Sequence, residues 1–143
     1  MDFSAIKNNL VGHRQKAEEQ ILYIKMHPDL PTEELHERIY DYVLFKYNLY
    51  GEVQDVYKLS DLAELSVAKT LRMSKEQAVA ADLQTSCDGA TSAMKKKVLL
   101  LMAVQKELEI KFPLDKTAKI QDTHFLADIV GEQLKSKAAA VYA

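Results

Sequence analysis

Two neighbouring hydroxyl residues and a run of three lysines form the part of the sequence whose residue types best suit chemistry. Thr91 and Ser92 stand where a turn of small residues gives way to an apolar helical pattern, and Lys95, Lys96 and Lys97 follow closely. A helix start favours a negative charge because the helix dipole is positive there. Lysines three and four residues after Ser92 would share its side of the helix and could pair with an anion. A helix start with these residues can therefore accommodate an anionic group.

The same residues have a purely structural interpretation. Either Thr91 or Ser92 can be the N-cap of a helix, which is worth about 1 kcal/mol and needs no modification. The lysine run can be a solvated face, although three cations near a helix start oppose the dipole. An anionic ligand or an acidic partner would offset that cost. We therefore expect Lys95, Lys96 and Lys97 to bind a partner with an acidic surface, with a solvated face as the alternative.

The sequence contains none of the common catalytic motifs. It has no Gly-rich phosphate loop, no His-Glu-x-x-His and no Gly-x-Ser-x-Gly. The four histidines lie far apart, and Glu33 and Glu37 near His36 are typical of a helix start. Cys87 has no close basic neighbour that would lower the pKa of its thiol. We expect no metal site and no enzymatic activity.

The composition is that of a soluble globular protein with one domain, or one domain and an appendage. Of the 143 residues, 48% are hydrophobic and 28% are charged, and there are only 4 Gly and 3 Pro. The single cysteine excludes an internal disulfide framework, and residues 1–12 lack a secretory signal, which indicates a cytoplasmic protein. The apolar runs are far shorter than the roughly 20 residues of a membrane span. A net charge of −2 does not argue for nucleic-acid binding, and we expect no nucleic-acid partner.

Hydrophobic periodicity predicts an all-α protein. Helical patterns occupy 3–26, 32 to about 51, about 60–72, 93–110 and 123 onward, with a short helix or ordered loop at 74–86 and a turn at 115–120. We expect the segment 93–110 to be buried on more than one side because it is the most apolar. Five of the seven tyrosines lie between residues 40 and 57 and predict a packing surface or an interface.

Three helix starts carry recognisable capping residues. Thr32 is expected to cap the second helix, and Ser74 with Gln77 has the spacing of a capping box. Asp122 or Thr123 is expected to cap the last helix.

Four segments of the second half occur in an order that a known family shares. They are the end of a helix at 71–76, the apolar helix 98–108, the exit Ile110-Lys111-Phe112-Pro113 and the closing segment 126–130. In this order they resemble the acyl carrier proteins over about residues 61–135. The resemblance implies an acyl-carrier-like four-helix bundle at 59–143, preceded by an N-terminal helical extension of two helices at 1–58.

The resemblance also implies a prosthetic group. Acyl carrier proteins attach phosphopantetheine to the serine of an Asp-Ser-Leu motif at the start of their second helix, and this chain lacks that motif. A gap-free comparison through Met102 and Ala103 places Met94 at the serine position, with Ser92 about half a turn away. Ser92 is therefore the candidate attachment site for phosphopantetheine, which would carry an acyl or aminoacyl group.

We thus expect an acyl-carrier-like protein that acts as a non-catalytic carrier or docking module. The alternative is a helical scaffold or regulatory interaction protein with the carrier fold and no prosthetic group, which Met94 at the serine position favours. Both hypotheses imply protein partners and no membrane. The N-terminal helices can pack onto the carrier-like bundle or pair with a second copy to form a homodimer.

Overall fold

A computed structural model of the protein describes residues 3–85 and 91–142. Seven helices lie in these ranges: α1 (Phe3–Met26), α2 (Thr32–Lys46), α3 (Leu59–Leu71), α4 (Lys75–Thr85), α5 (Ser92–Leu108), α6 (Leu114–Thr117) and α7 (Thr123–Tyr142). The only β pairing within them is an isolated antiparallel bridge between Lys58 and Asp122. The all-α prediction is confirmed.

Two of the three predicted caps form. Ser74 Oγ accepts a hydrogen bond from the Gln77 amide at 3.1 Å, and Gln77 Oε1 accepts one from the Ser74 amide at 3.2 Å. Asp122 Oδ1 accepts a hydrogen bond from the Phe125 amide at 2.8 Å and so caps α7. The prediction for Thr32 is wrong, because Pro31 occupies the N-cap position of α2 and no side chain caps that end.

The second helix ends earlier than its apolar pattern predicts. α2 stops at Lys46 rather than near residue 51, because Asn48 adopts a left-handed conformation with φ 58°. The Leu49 amide then donates to the Leu44 carbonyl at 2.8 Å, a bond that closes the helix end. This early end places Tyr47, the C-cap residue, beside α5.

The N-terminal helices share a hydrophobic core with the rest of the chain. α1 packs on α2, α2 packs on α7, and α5 packs on α3 and α1. Ile24 and Ile39, which are completely buried, belong to the same cluster as Val104 and Leu126. The structure thus shows α1 and α2 packing onto the bundle, while the division of the chain at residue 58 stays a prediction. None of the helices in the described ranges is long and apolar enough to span a membrane.

Candidate functional site

Thr91 fixes the start of α5. Its backbone is extended, with φ −81° and ψ 164°, and its Oγ1 accepts a hydrogen bond from the Met94 amide at 3.1 Å. Thr91 is therefore the N-cap, and Ser92 is the first residue of α5, with an exposed side chain. Cys87 and the turn of small residues before Thr91 lie outside the described residues. The capping interpretation thus applies to Thr91 and leaves the anionic group at Ser92 as a prediction.

The three consecutive lysines do not share one side of α5. Lys95 is exposed, Lys96 is half-buried with its Nζ 5.6 Å from the centroid of the Tyr47 ring, and Lys97 lines a groove that Glu64 also lines. Successive helical residues are about 100° apart around the axis, which separates their side chains. Burial lowers the pKa of the Lys96 ammonium.

None of these lysines forms an ion pair with another residue in the described part of the chain. Lys95, Lys96 and Lys97 therefore keep their positive charges available to a partner or a ligand. Their role in binding an acidic partner stays a prediction.

α5 carries an exposed apolar stripe, which consists of Met94, Val98, Leu99 and Met102. Each of these side chains is between 54% and 63% exposed. The expectation that segment 93–110 is buried on more than one side is therefore wrong. α5 packs on α3 and α1, and its outer side is left to solvent. The buried residues form a single band along the helix: Ala93, Leu100, Leu101, Val104 and Leu108.

A groove of about 350 Å³ lies beside the start of α5. Helices α3, α5 and α6 form its walls, and Met94, Val98 and Leu101 provide apolar surface from α5. Thr91, Ala93 and Met94, the residues that flank Ser92 in the sequence, all line it. We call this cavity the α5 groove.

A second cavity, of about 300 Å³, lies between the C-terminal end of α2 and α5. We call it the lysine pocket, and its lining residues are Lys46, Tyr47, Lys96, Leu99, Leu100 and Ala103. Sequence reasoning missed this pocket because its two halves are about fifty positions apart in the chain. The concentration of tyrosines between residues 40 and 57 was the one signal that this part of α2 meets another element.

The fold also joins two histidines that are distant in sequence. The rings of His36 and His124 stack with centroids 3.6 Å apart, and His36 Nε2 lies 2.9 Å from Thr123 Oγ1. Burial and, to a smaller extent, the neighbouring His124 lower the pKa of His36. These contacts hold the start of α7 against α2. Within residues 3–85 and 91–142, no group of three or more His, Cys, Asp or Glu side chains could hold a metal ion.

No family model, no curated protein and no solved structure matches this chain.

Proposed function

We propose that this chain is an acyl-carrier-like protein, a non-catalytic carrier and docking module that bears phosphopantetheine on Ser92. The observation that carries the proposal is the position of Ser92. Its side chain is exposed at the first turn of α5, and its sequence neighbours line the α5 groove. The order of α3, α5, the short α6 and α7 agrees with the order that the resemblance implies.

The surroundings of Ser92 suit an attached phosphodiester. The first turn of a helix stabilises a negative charge through the dipole. Lys95 and Lys96 follow at positions that share the Ser92 side of α5, and neither is engaged by a carboxylate in the described residues. Thr91 already supplies the N-cap, so modification of Ser92 would not remove that hydrogen bond. Phosphopantetheine, once attached, supplies a thiol that holds an acyl or aminoacyl group as a thioester.

The α5 groove suits the apolar part of such a group. Its volume is about 350 Å³, and Met94, Val98 and Leu101 present hydrocarbon surface to it. Each methylene that leaves water for such a surface contributes about 0.8 kcal/mol. Glu64 and Lys97 also line the groove, and these charged side chains would favour water or a polar linker beside them. The groove can thus shelter a short chain at the same end of α5 as its attachment point.

The intact mass of the protein tests the carrier function. The chain is expressed with a broad-specificity phosphopantetheinyl transferase, together with Ser92→Ala and, as a matched control from the groove wall, Ser60→Ala. We expect a phosphopantetheine increment on the wild type and on Ser60→Ala, and no increment on Ser92→Ala. An increment that persists in Ser92→Ala would overturn the site, and an unmodified wild type would overturn the carrier function.

The second candidate is an interaction protein that carries no prosthetic group. The exposed apolar stripe favours it, because Val98, Leu99 and Met102 present more hydrocarbon to water than a solvated helix face needs. The unpaired lysines beside the stripe suit a partner with acidic residues around an apolar centre.

Cross-linking tests this docking function separately from the carrier function. Partners from the source cells are cross-linked to the wild type and to Val98→Ser/Met102→Ser and are then identified by mass spectrometry. Lys135→Ser, an exposed change on α7, is the control. We expect the double variant alone to lose specific cross-links to acidic partners. Equal cross-linking by the double variant and the wild type would contradict docking through the stripe.

Self-association through the N-terminal helices is part of the same proposal. Leu22 and Met26, one turn apart on α1, are 58% and 69% exposed and can meet a second copy. Sedimentation of the wild type and of Leu22→Gln/Met26→Gln checks it. We expect a dimer that the double variant weakens, and a wild type that sediments as a monomer at high concentration would overturn this part.

A further inference from the structure

The lysine pocket combines charge, a phenol and hydrocarbon in one cavity. Lys46 and Tyr47 come from the end of α2, and Lys96 comes from α5. The remaining wall is aliphatic and consists of Leu99, Leu100 and Ala103. Among the residues that the structure describes, no carboxylate lines the cavity, so the described lining carries positive charge only.

One of the two positive charges is uncompensated. Lys46 Nζ lies 3.6 Å from Glu107 Oε1, and the other oxygen of Glu107 accepts a hydrogen bond from Tyr42 at 2.7 Å. Lys96 forms no ion pair in the described ranges, and its ammonium packs over the Tyr47 ring. A half-buried ammonium without a counter-ion loses hydration and gains no Coulomb attraction in return. A single negative charge bound in the cavity would compensate the positive charge of Lys96.

The hydroxyl of Tyr47 is also without a partner. Tyr47 is only 4% exposed, and its hydroxyl is buried with no hydrogen bond to any described residue. Buried hydroxyl groups in folded proteins almost always find a hydrogen-bond partner, because leaving one unpaired destabilises the fold. The hydroxyl oxygen has almost no accessible surface, so a ligand in the open cavity does not reach it, and Tyr47 lines the cavity through its other atoms.

We propose that the lysine pocket binds a small aliphatic carboxylate. The carboxylate group meets the Lys96 ammonium, and the hydrocarbon part lies against Leu99, Leu100 and Ala103. A monoanion matches the one uncompensated charge of the lining. The volume of about 300 Å³ is at the lower end for ligand pockets, which restricts the ligand to a small acid.

Lys96 is common to this pocket and to the proposed attachment at Ser92, so the two proposals are tested separately. The lysine pocket and the α5 groove lie on different sides of α5 and have no lining residue in common among those that the structure describes. Carboxylate binding can therefore be measured on the full chain before any modification, and its result does not depend on the outcome of the mass measurement.

Titration with hexanoate, followed by residue-resolved NMR, tests the proposal. We expect saturable shifts at Tyr47, Lys96 and Ala103, and no comparable shifts at Ser60 or Thr117 of the α5 groove. Hexanamide has the same hydrocarbon part without the charge, and inorganic phosphate has charge without the hydrocarbon. Both should bind at least about tenfold more weakly than hexanoate.

Four variants assign the binding to the named side chains. Lys96→Met should weaken hexanoate binding by about tenfold or more, whereas Tyr47→Phe removes a hydroxyl that the ligand does not reach and should change the affinity by less than about twofold. Lys96→Arg keeps the charge and should bind within a few-fold of the wild type. Lys95→Met removes the exposed neighbour and should leave the affinity unchanged. Amide spectra with the dispersion of the wild type confirm that each variant is folded.

Several results would overturn this proposal. They are the absence of saturable shifts, shifts confined to the α5 groove, wild-type affinity in Lys96→Met, and equal binding of hexanamide or phosphate.

Discussion

The two sides of α5 differ in chemistry although adjacent residues build them. On one side, Met94, Val98 and Leu101 form the apolar wall of the α5 groove, and Lys97 and Glu64 line it together. On the other side, Lys96 and Tyr47 leave a charge and a hydroxyl without partners in the described residues. Neighbouring helical residues are about 100° apart around the axis. Lys96 and Lys97 therefore lie in two different environments although they are consecutive. The comparison shows that the environment of each lysine in the run depends on which residues pack beside it.

The largest expected effect concerns the wall of the α5 groove. Leu101 is 6% exposed and belongs to the core, whereas Val98 is 55% exposed, although both line the groove. Leu101→Ala should lower the free energy of unfolding by about 2–5 kcal/mol because it leaves a cavity. Val98→Ala should change it by less than about 0.5 kcal/mol. Urea denaturation of both variants measures the change in unfolding free energy. Equal losses of stability would contradict the placement of Leu101 in the core and of Val98 at the exposed rim of the groove.

The next effect compares two buried tyrosines near the lysine pocket. Tyr42 donates a hydrogen bond to Glu107, while Tyr47 has no partner for its hydroxyl among the described residues. Burial raises the pKa of both phenols. Tyr42→Phe should cost about 1–2 kcal/mol of unfolding free energy, and Tyr47→Phe should be neutral or stabilising by up to about 1 kcal/mol.

Denaturant unfolding of these two matched variants checks this contrast. If Tyr47→Phe destabilises the protein as much as Tyr42→Phe, the Tyr47 hydroxyl has a hydrogen-bond partner. The contrast between the two sides of α5 would then rest on Lys96 alone.

A smaller effect separates the two hydroxyls at the start of α5. Thr91→Ala removes the hydrogen bond to the Met94 amide and should cost about 1 kcal/mol of stability. Ser92→Ala leaves that hydrogen bond in place and should cost less than Thr91→Ala. Thermal unfolding, monitored by circular dichroism, compares the variants. A larger loss for Ser92→Ala would show that Ser92 has the structural role instead.

The smallest expected effect is a pH dependence of the folding stability that comes from Lys96 in the lysine pocket. Burial lowers the pKa of Lys96 in the folded state below its ordinary 10.5. Between these two pKa values the unfolded chain binds more protons, so the contribution of Lys96 makes the folded state more stable as the pH rises. Near pH 7, Lys96→Met should be as stable as the wild type or more stable, by less than about 1 kcal/mol.

The measurement is the difference in unfolding free energy between the wild type and Lys96→Met from pH 7 to pH 10.5. Taking the difference removes the contributions that the wild type and the variant have in common. Lys95→Met provides the control for the loss of an exposed lysine on the same helix. We expect the wild type to gain stability relative to Lys96→Met as the pH rises. A flat difference would show that burial does not disfavour the charge on Lys96.

Local features were predictable to the extent that nearby residues determine them. The Ser74 and Gln77 capping box and the Asp122 cap formed as their spacing predicts, because each bond joins residues three positions apart. The end of α2 was not predictable from its apolar pattern. That pattern continues past Lys46, and the left-handed turn at Asn48 stops the helix.

Contacts between distant segments could not be predicted from one sequence. His36 and His124 stack although they are far apart in the chain, and Tyr47 meets Lys96 from another helix. Hydrophobic periodicity marks which positions are apolar. It does not state which of them a neighbouring helix will cover, and so the exposure of Val98 and Met102 was missed.

The sequence by itself determined the all-α class, most helix bounds and Ser92 at the start of the apolar helix, because helix periodicity and capping act over three or four residues. The tertiary structure alone decided the rest. It placed Lys96 in a pocket with Tyr47, placed Lys97 in the α5 groove, and left the apolar stripe in solvent. The physical reason is that burial and charge compensation depend on which helices pack together, and that packing joins residues far apart in the chain.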